Sequence, residues 1–153
     1  MTSLLRVVLA AAAFAWLGAA RAEPAAPRPD ELAVQFVSTF SRADVDGLLE
    51  RVTDDIEMLS LSDAGASVDV AGKAALRQFL ERYFQRIRDV RSELEWTRVS
   101  GNRVVAEERV SWTSASGPRS RRSLSVYEFR DGKVRRVWYF PAESLASPAK
   151  PAS

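Results

Sequence analysis

The dominant period of the hydrophobic pattern changes near Ser92, from mainly helical spacing to alternation. Before that residue, apolar side chains recur at helical spacing, and beyond it they alternate with polar ones as in strands with one buried face. Three turn signals, Gly101-Asn102, Ser116-Gly117-Pro118 and Asp131-Gly132, divide the second part into four strands. Helices first and a meander of strands last predict an α+β fold, with the helices packed on one face of an antiparallel sheet.

Three helices are predicted in the first part. Asp30 and Asp44 each stand at a capping position before an apolar stripe, and the longest helix is predicted over Lys73–Val90. A short strand is predicted over Ile56–Leu61, followed by a loop that contains Gly65. The four later strands are predicted at Glu93–Ser100, Arg103–Thr113, Ser120–Arg130 and Lys133–Phe140.

The first 22 residues read as a secretory signal peptide. Arg6 supplies the positive charge, residues 7–17 form the apolar core, and Ala20-Arg21-Ala22 has the small residues that signal peptidase cuts, so cleavage is expected after Ala22. The alternative is a membrane anchor, but the apolar core is shorter than the roughly 20 residues that a span needs. We therefore expect a periplasmic or secreted protein with no stable membrane anchor after cleavage.

The remaining chain is expected to hold one domain between two tails. Residues 23–29 and 146–153 are rich in proline and alanine and are predicted to be disordered, which leaves residues 30–145 for the folded domain. Its length suits one hydrophobic core rather than two.

The chain has no cysteine and no histidine. This absence removes disulfides, thiolate nucleophiles, serine–histidine triads and most transition-metal sites, and we expect neither a metal nor a cofactor. The formal net charge of +2 falls to about zero once Arg6 and Arg21 leave with the signal peptide, since 2 minus 2 is 0. A nucleic-acid partner is therefore not expected.

Three segments together resemble a known superfamily. They are Asp44–Leu49 running into Thr53–Ile56, then Gly72–Leu76, and finally Val126–Val134. Their order and spacing resemble the nuclear transport factor 2-like superfamily, in its SnoaL-like and ketosteroid isomerase-like branch. The resemblance implies a cone-shaped barrel of a curved antiparallel sheet wrapped by about three helices, often dimeric, whose mouth admits a small apolar molecule. It implies no single activity, because members include isomerases, cyclases, epoxide hydrolases, dehydratases and proteins without catalysis.

At three positions this chain differs from the residues that ketosteroid isomerases use for catalysis. The resemblance puts Phe36 where those enzymes have a tyrosine, Ser60 where the carboxylate base stands, and Ser125 where a protonated aspartic acid assists. A serine hydroxyl without a partner is a very weak base, so this reaction is disfavoured.

Compared with limonene epoxide hydrolases, this chain has the catalytic arginine but lacks the two aspartates. Glu108-Arg109-Val110-Ser111 is similar to that family's Glu-Arg-Val-Asp, with Ser111 in place of the aspartate. Tyr139, or Trp138 after a one-residue gap, stands at the place of the water-activating aspartate. The positions that are nevertheless expected to face a ligand are Phe36, Ser60, Ser111, Ser125, Tyr127 and Tyr139.

Alternation on the second long strand separates Glu107, Arg109 and Ser111 from Glu108, Val110 and Trp112. The resemblance suggests that the first set faces the cavity. Glu107 and Arg109 would then form an acid–base pair, and the alternative is a surface ion pair of little energetic consequence. The same alignment turns two tyrosines inward, where each could bind a ligand or simply belong to the core: Tyr127 and Tyr139.

An apolar strip is predicted on the opposite face of the sheet, made of Trp112, Leu124, Val126 and Trp138. Such a strip favours a partner, and a homodimer is the simplest arrangement. Arginines 119, 121 and 122 lie near the predicted turn at Ser116, where they either bind an anion or form a solvated hairpin tip.

Three functions remain open at this stage. The favoured one is an exported, non-catalytic module that holds a small apolar or amphipathic ligand. The alternative is an isomerase, cyclase or hydrolase that acts on a small hydrophobic carbonyl compound or epoxide through Glu107 and Arg109. The third is a structural dimer with a filled barrel.

Overall fold

A computed structural model of the chain describes residues 26–115 and 117–140. The predicted signal peptide with its cleavage after Ala22 and the predicted tail at 146–153 lie outside the described residues. Three helices and six strands fill the described part. In chain order they are α1 (Pro29–Ser41), α2 (Val45–Glu50), β1 (Val52–Ser62), β2 (Gly65–Ala71), α3 (Lys73–Arg86), β3 (Arg88–Ser100), β4 (Arg103–Ser114), β5 (Gly117–Arg130) and β6 (Lys133–Tyr139).

The six strands form one curved, mixed sheet in the order β2-β1-β6-β5-β4-β3. The predicted α+β class and the meander β3 to β6 are confirmed. β1 pairs with β6 in parallel, so the sheet is not wholly antiparallel. It curves without closing, because β2 and β3 remain as its edges.

Several boundaries differ from the prediction, and one strand is additional. β1 begins at Val52 rather than Ile56, β3 at Arg88 rather than Glu93, and β5 at Gly117 rather than Ser120. The last helix ends at Arg86 rather than Val90, because Ile87 already has extended backbone and β3 begins at Arg88. The segment around Gly65, expected to be a loop, turns back into strand β2. This edge strand is exposed at every position except Val70, so it carries little of the apolar alternation that reveals a strand.

The helices cover the concave face of the sheet. α1 packs against β3 and β4, while α3 packs against β1 and β2. The core between these layers consists of fully or nearly buried side chains, with Leu48, Ile56, Leu76 and Tyr127 among the largest. Burial of such a side chain contributes roughly 1.5–3 kcal/mol. The short helix α2 is fixed at its start by the Asp44 carboxylate, which accepts a hydrogen bond of 2.9 Å from the Gly47 amide.

The apolar strip predicted on the outer face is partly wrong. Leu124, Val126 and Trp138 lie on that convex face, as expected. Trp112 lies on the concave side. β4 and β5 pair without a bulge, so Trp112, four residues after Glu108, points to the same face as Glu108. The outer face gains Trp96 of β3, which is 43% exposed beside the 42% exposed Leu124.

Within the described residues, none of the helices is both long and apolar enough to cross a membrane.

Candidate functional site

A cavity of about 280 Å³ lies between the concave face of the sheet and helices α1 and α3. This volume is near the lower end for small-molecule sites, roughly 300–1,000 Å³. Most of its wall is apolar: Phe36, Val37, Phe40, Met58, Leu61, Val70, Phe79, Val110 and Phe140. The polar part of the wall consists of Ser60, Asp69, Tyr83, Glu108, Arg121, Ser123, Tyr127 and Tyr139.

Glu108 is the buried acid of this cavity. Its side chain comes from the middle of β4 and is 5% exposed. Oε2 accepts hydrogen bonds of 3.0 Å from the Ser125 hydroxyl and 2.7 Å from the Tyr127 hydroxyl. Oε1 accepts one from the Ser92 hydroxyl on β3. No cation within the described residues forms an ion pair with Glu108, so three neutral hydroxyl groups hold this carboxylate.

These hydrogen bonds decide what Glu108 can do. A carboxylate loses much hydration on burial, and hydroxyl donors stabilise the charged form against that loss. Its two oxygens have about four acceptor positions, and the three hydroxyls occupy one on Oε1 and two on Oε2. One position on Oε1 is therefore left for a ligand that donates a hydrogen bond or a proton.

Tyr127 is fixed from two sides. It is 1% exposed, and its ring meets Phe36 of α1 edge-on at a centroid distance of 6.1 Å. Burial, followed by the charge of Glu108, raises the pKa of the Tyr127 phenol well above its usual value. The phenol therefore stays protonated and donates to Glu108.

Two further tyrosines face the same space. Burial raises the pKa of Tyr139 strongly, and the negative charge of Glu108 adds to the effect. Burial also raises the pKa of Tyr83, which the positive charge of Arg121 partly opposes. Tyr83 stacks on Phe79 at 5.9 Å and touches Phe40 at 5.6 Å between ring centroids. Both phenols are thus neutral hydrogen-bonding groups beside an aromatic wall.

A β-bulge brings a second acid to the cavity. Met58 pairs with Val70 and Leu59 pairs with Val68, which leaves Asp69 as the extra residue on β2. Because the bulge breaks the alternation, the consecutive residues Asp69 and Val70 both line the cavity. Asp69 is exposed, and its carboxylate accepts hydrogen bonds from the hydroxyls of Ser60 and, at 3.3 Å, of Ser67.

The predicted orientation of Glu107, Arg109 and Ser111 is wrong, because all three lie on the outer face. Glu107 accepts a hydrogen bond of 2.8 Å from the Trp96 indole. Arg109 forms ion pairs with Glu93 at 2.8 Å and Glu95 at 3.1 Å. The reason is that β4 buries its even-numbered side chains, Val104, Ala106, Glu108 and Val110.

The other predicted positions lie where the resemblance suggested. Phe36, Ser60, Tyr127 and Tyr139 are on the cavity wall. Ser125 is fully buried and is connected to the cavity through its hydrogen bond to Glu108. Whether any of them binds a ligand stays a prediction.

Five polar residues of the cavity wall are not identified as cavity residues from the sequence: Asp69, Tyr83, Glu108, Arg121 and Ser123. Glu108 had a signal, because the apolar residues of β4 other than Val105 are even-numbered and Glu108 interrupts that row. Asp69 had none, since a bulge changes the face of a side chain without changing the sequence pattern in a recognisable way.

Among residues 26–115 and 117–140, no three acidic side chains are grouped as they would be around a metal ion.

Comparison with known proteins gives a family and a fold. Residues 33–137 match the SnoaL-like domain. The comparison with curated proteins found no match.

Solved structures share the architecture at low sequence identity. An uncharacterized cystatin-fold protein from Novosphingobium aromaticivorans is 24% identical, with a TM-score of 0.65 over 75% of this chain and 99% of that chain. PrhC from Penicillium brasilianum is 16% identical, with a TM-score of 0.65 over 73% and 78% of the two chains. BvnE pinacolase from Penicillium brevicompactum is 16% identical, with a TM-score of 0.63 over 76% and 86%. At these identities the similarity shows the fold alone.

Proposed function

The chain belongs to the SnoaL-like domain family, and on this premise we propose that it binds a small, largely apolar molecule in the cavity, through a hydrogen bond that the ligand donates to Glu108. One observation carries the proposal: a carboxylate that is 5% exposed lines the cavity, and its Oε1 accepts a single hydrogen bond among the described residues.

The surroundings of Glu108 support a binding role. Three hydroxyl groups hold the carboxylate in place before any ligand arrives, so little side-chain entropy is lost on binding. The aromatic side chains of α1 and α3 supply apolar contact, and Tyr139 offers a second hydrogen-bonding group. A few fixed polar groups within an apolar wall are typical of small-molecule sites.

A fluorescence titration tests this proposal. The probe is N-phenyl-1-naphthylamine, an uncharged aromatic amine whose emission rises in apolar surroundings. Ser123→Phe fills the cavity from β5, whereas Ser111→Phe adds the same ring to the outer face of β4. We expect Ser123→Phe to abolish saturable binding and Ser111→Phe to retain it. Equal binding by both variants would place the probe elsewhere and overturn the proposal.

Proton transfer is a second candidate function. Two carboxylates face one cavity in different surroundings, Glu108 buried among hydroxyls and Asp69 exposed at the β2 edge. Glu108 would take a proton from a carbon next to a carbonyl group and return it to another carbon of the same molecule, while Tyr139 donates a hydrogen bond to the carbonyl oxygen. The reaction is an isomerisation: the proton is moved within one molecule, and no other reactant is needed.

Solvent deuterium exchange distinguishes this second candidate from binding alone. A cyclic enone such as 3-cyclohexenone is incubated with the protein in heavy water, and its deuterium content is followed by NMR. Catalysis predicts exchange that Glu108→Gln removes. Binding of the ketone without enhanced exchange would leave the binding function and reject the catalytic one.

Export and self-association complete the proposed function. The signal-like residues 1–22 favour transfer out of the cytoplasm, with residues 30–145 as the functional domain. The exposed Trp96 and Leu124, with Val126 and Trp138 beside them, make the outer face suitable for a homodimer.

A further inference from the structure

Arg121 is the cation of the cavity wall, within the part of the chain that the structure describes. It lies on β5 opposite Val110. Its side chain points to the same face of the strand as those of Ser123 and Ser125, which is the concave side. Arg121 is exposed, whereas Glu108 on the same cavity wall is buried, so the guanidinium lies on the solvent side of the cavity.

Arg121 differs from its neighbour Arg122 in its ion pairing. Arg122 points to the outer face, where its guanidinium forms an ion pair of 2.7 Å with Glu95. Arg121 forms no ion pair and no hydrogen bond within residues 26–115 and 117–140. Arg122 is therefore held in an ion pair on the outer face, whereas Arg121 on the cavity side forms no direct ion pair among the described residues.

The groups around Arg121 suit an oxyanion. The phenols of Tyr83 and Tyr139 line the same cavity as its guanidinium. The charge of Arg121 opposes the rise of the pKa of both phenols, in agreement with that arrangement. A guanidinium can give a carboxylate two parallel hydrogen bonds, and neutral phenols can add further donors.

The aromatic wall lies next to this polar group. Phe40 and Phe79 both contact the ring of Tyr83, with centroid distances of 5.6 and 5.9 Å. An apolar ligand body against these rings would bring an attached anionic group to Arg121. The opposite orientation is disfavoured, since an anion at the inner end would meet the charge of Glu108.

We infer that the ligand is an amphipathic anion whose carboxylate, or a similar oxyanion, binds Arg121 at the mouth while its apolar body enters the cavity. The inference rests on the proposed function and specifies the chemical class of the ligand. It also sets the direction of entry, with the neutral hydrogen-bond donor of the ligand inside at Glu108.

Two matched probes test the inference. 1-Anilinonaphthalene-8-sulfonate carries an anionic group on the same ring system as the uncharged N-phenyl-1-naphthylamine. Each is titrated against the wild type, Arg121→Gln and the outer-face control Arg122→Gln, after circular dichroism has shown that all three are folded. The measured quantity is the ratio of variant to wild-type Kd for each probe.

We expect Arg121→Gln to raise the Kd of the sulfonate about tenfold or more, the scale of a charge-assisted hydrogen bond, and to leave the Kd of the neutral probe within about twofold. Arg122→Gln should change neither value beyond about twofold. The inference is overturned if Arg121→Gln affects both probes alike or neither, or if Arg122→Gln weakens the sulfonate equally. Absence of saturable binding by the neutral probe would instead overturn the proposed function.

Discussion

The Tyr127 hydroxyl donates a hydrogen bond of 2.7 Å to the Glu108 carboxylate, across the neighbouring strands β5 and β4. Both side chains are almost completely buried, at 1% and 5% exposure. The pair joins the core to the cavity, because Tyr127 also packs against Phe36 of α1. Stability and ligand binding should therefore both depend on it.

Removal of this hydroxyl should destabilise the protein. Tyr127→Phe keeps the ring but leaves the buried carboxylate with two donors, which should lower the free energy of unfolding by about 1–3 kcal/mol. Urea unfolding followed by tryptophan fluorescence measures the change. Tyr83→Phe is the control, since no hydrogen bond of the Tyr83 hydroxyl is found among the described residues. An equal loss in both variants would contradict the assigned role of the Tyr127–Glu108 bond.

Alkaline pH should unfold the protein through its buried tyrosines. The pKa values of Tyr127 and Tyr139 are raised above the unfolded value of about 10. Their stabilising contribution is therefore fully present below about pH 10 and is lost as the pH rises toward the folded values. The thermal midpoint should be little affected by these groups between about pH 8 and 10 and should fall above about pH 10. The thermal midpoint of Tyr139→Phe should fall less steeply with pH than that of the wild type. An identical pH dependence in the two proteins would count against burial of that phenol.

The outer face should mediate dimer formation. Leu124→Glu places a charge at the exposed centre of the apolar surface formed with Trp96 and Trp138, and it should convert a dimer into a monomer in sedimentation equilibrium. Val34→Glu is the matched control, because Val34 is 54% exposed on α1, away from the sheet surface. A wild type that is monomeric at all accessible concentrations would reject the dimer.

The amino-terminal segment should be removed during export. Expression of the full chain in a bacterial host should yield a periplasmic product whose mass corresponds to a first residue of Glu23. Ala20→Leu together with Ala22→Leu should block cleavage and retain the chain at the membrane. A full-length product in the cytoplasm would contradict the export proposal.

Much of the fold was predictable because helical and strand periods are visible in the sequence. The meander β3 to β6 follows from alternation and from turn residues such as Asp131 and Gly132. Strand β2 was missed, since an exposed edge strand buries only Val70 and leaves almost no pattern. The parallel pairing of β1 with β6 depends on contacts far apart in sequence, which a local pattern does not reveal.

The candidate site was less predictable for two physical reasons. Alternation separates the two faces of β4 correctly, but the resemblance at Arg109 predicts that the odd-numbered face lines the cavity. The structure turns the even-numbered row with Val104 and Val110 inward, and Glu108 belongs to that row. Asp69 reaches the cavity only because of a bulge, and a bulge is a property of strand pairing rather than of residue order.

The adjacent acids Glu107 and Glu108 allow a direct test of the central claim, since they lie on opposite faces of one strand. The affinity of 2-naphthol, an aromatic ligand with one hydroxyl donor, is measured by fluorescence for the wild type, Glu108→Gln and Glu107→Gln. The site described above predicts that Glu108→Gln raises the Kd about tenfold while Glu107→Gln stays within about twofold. Equal Kd values for the two variants, or a loss confined to Glu107→Gln, would contradict the assignment of Glu108 as the ligand-binding acid.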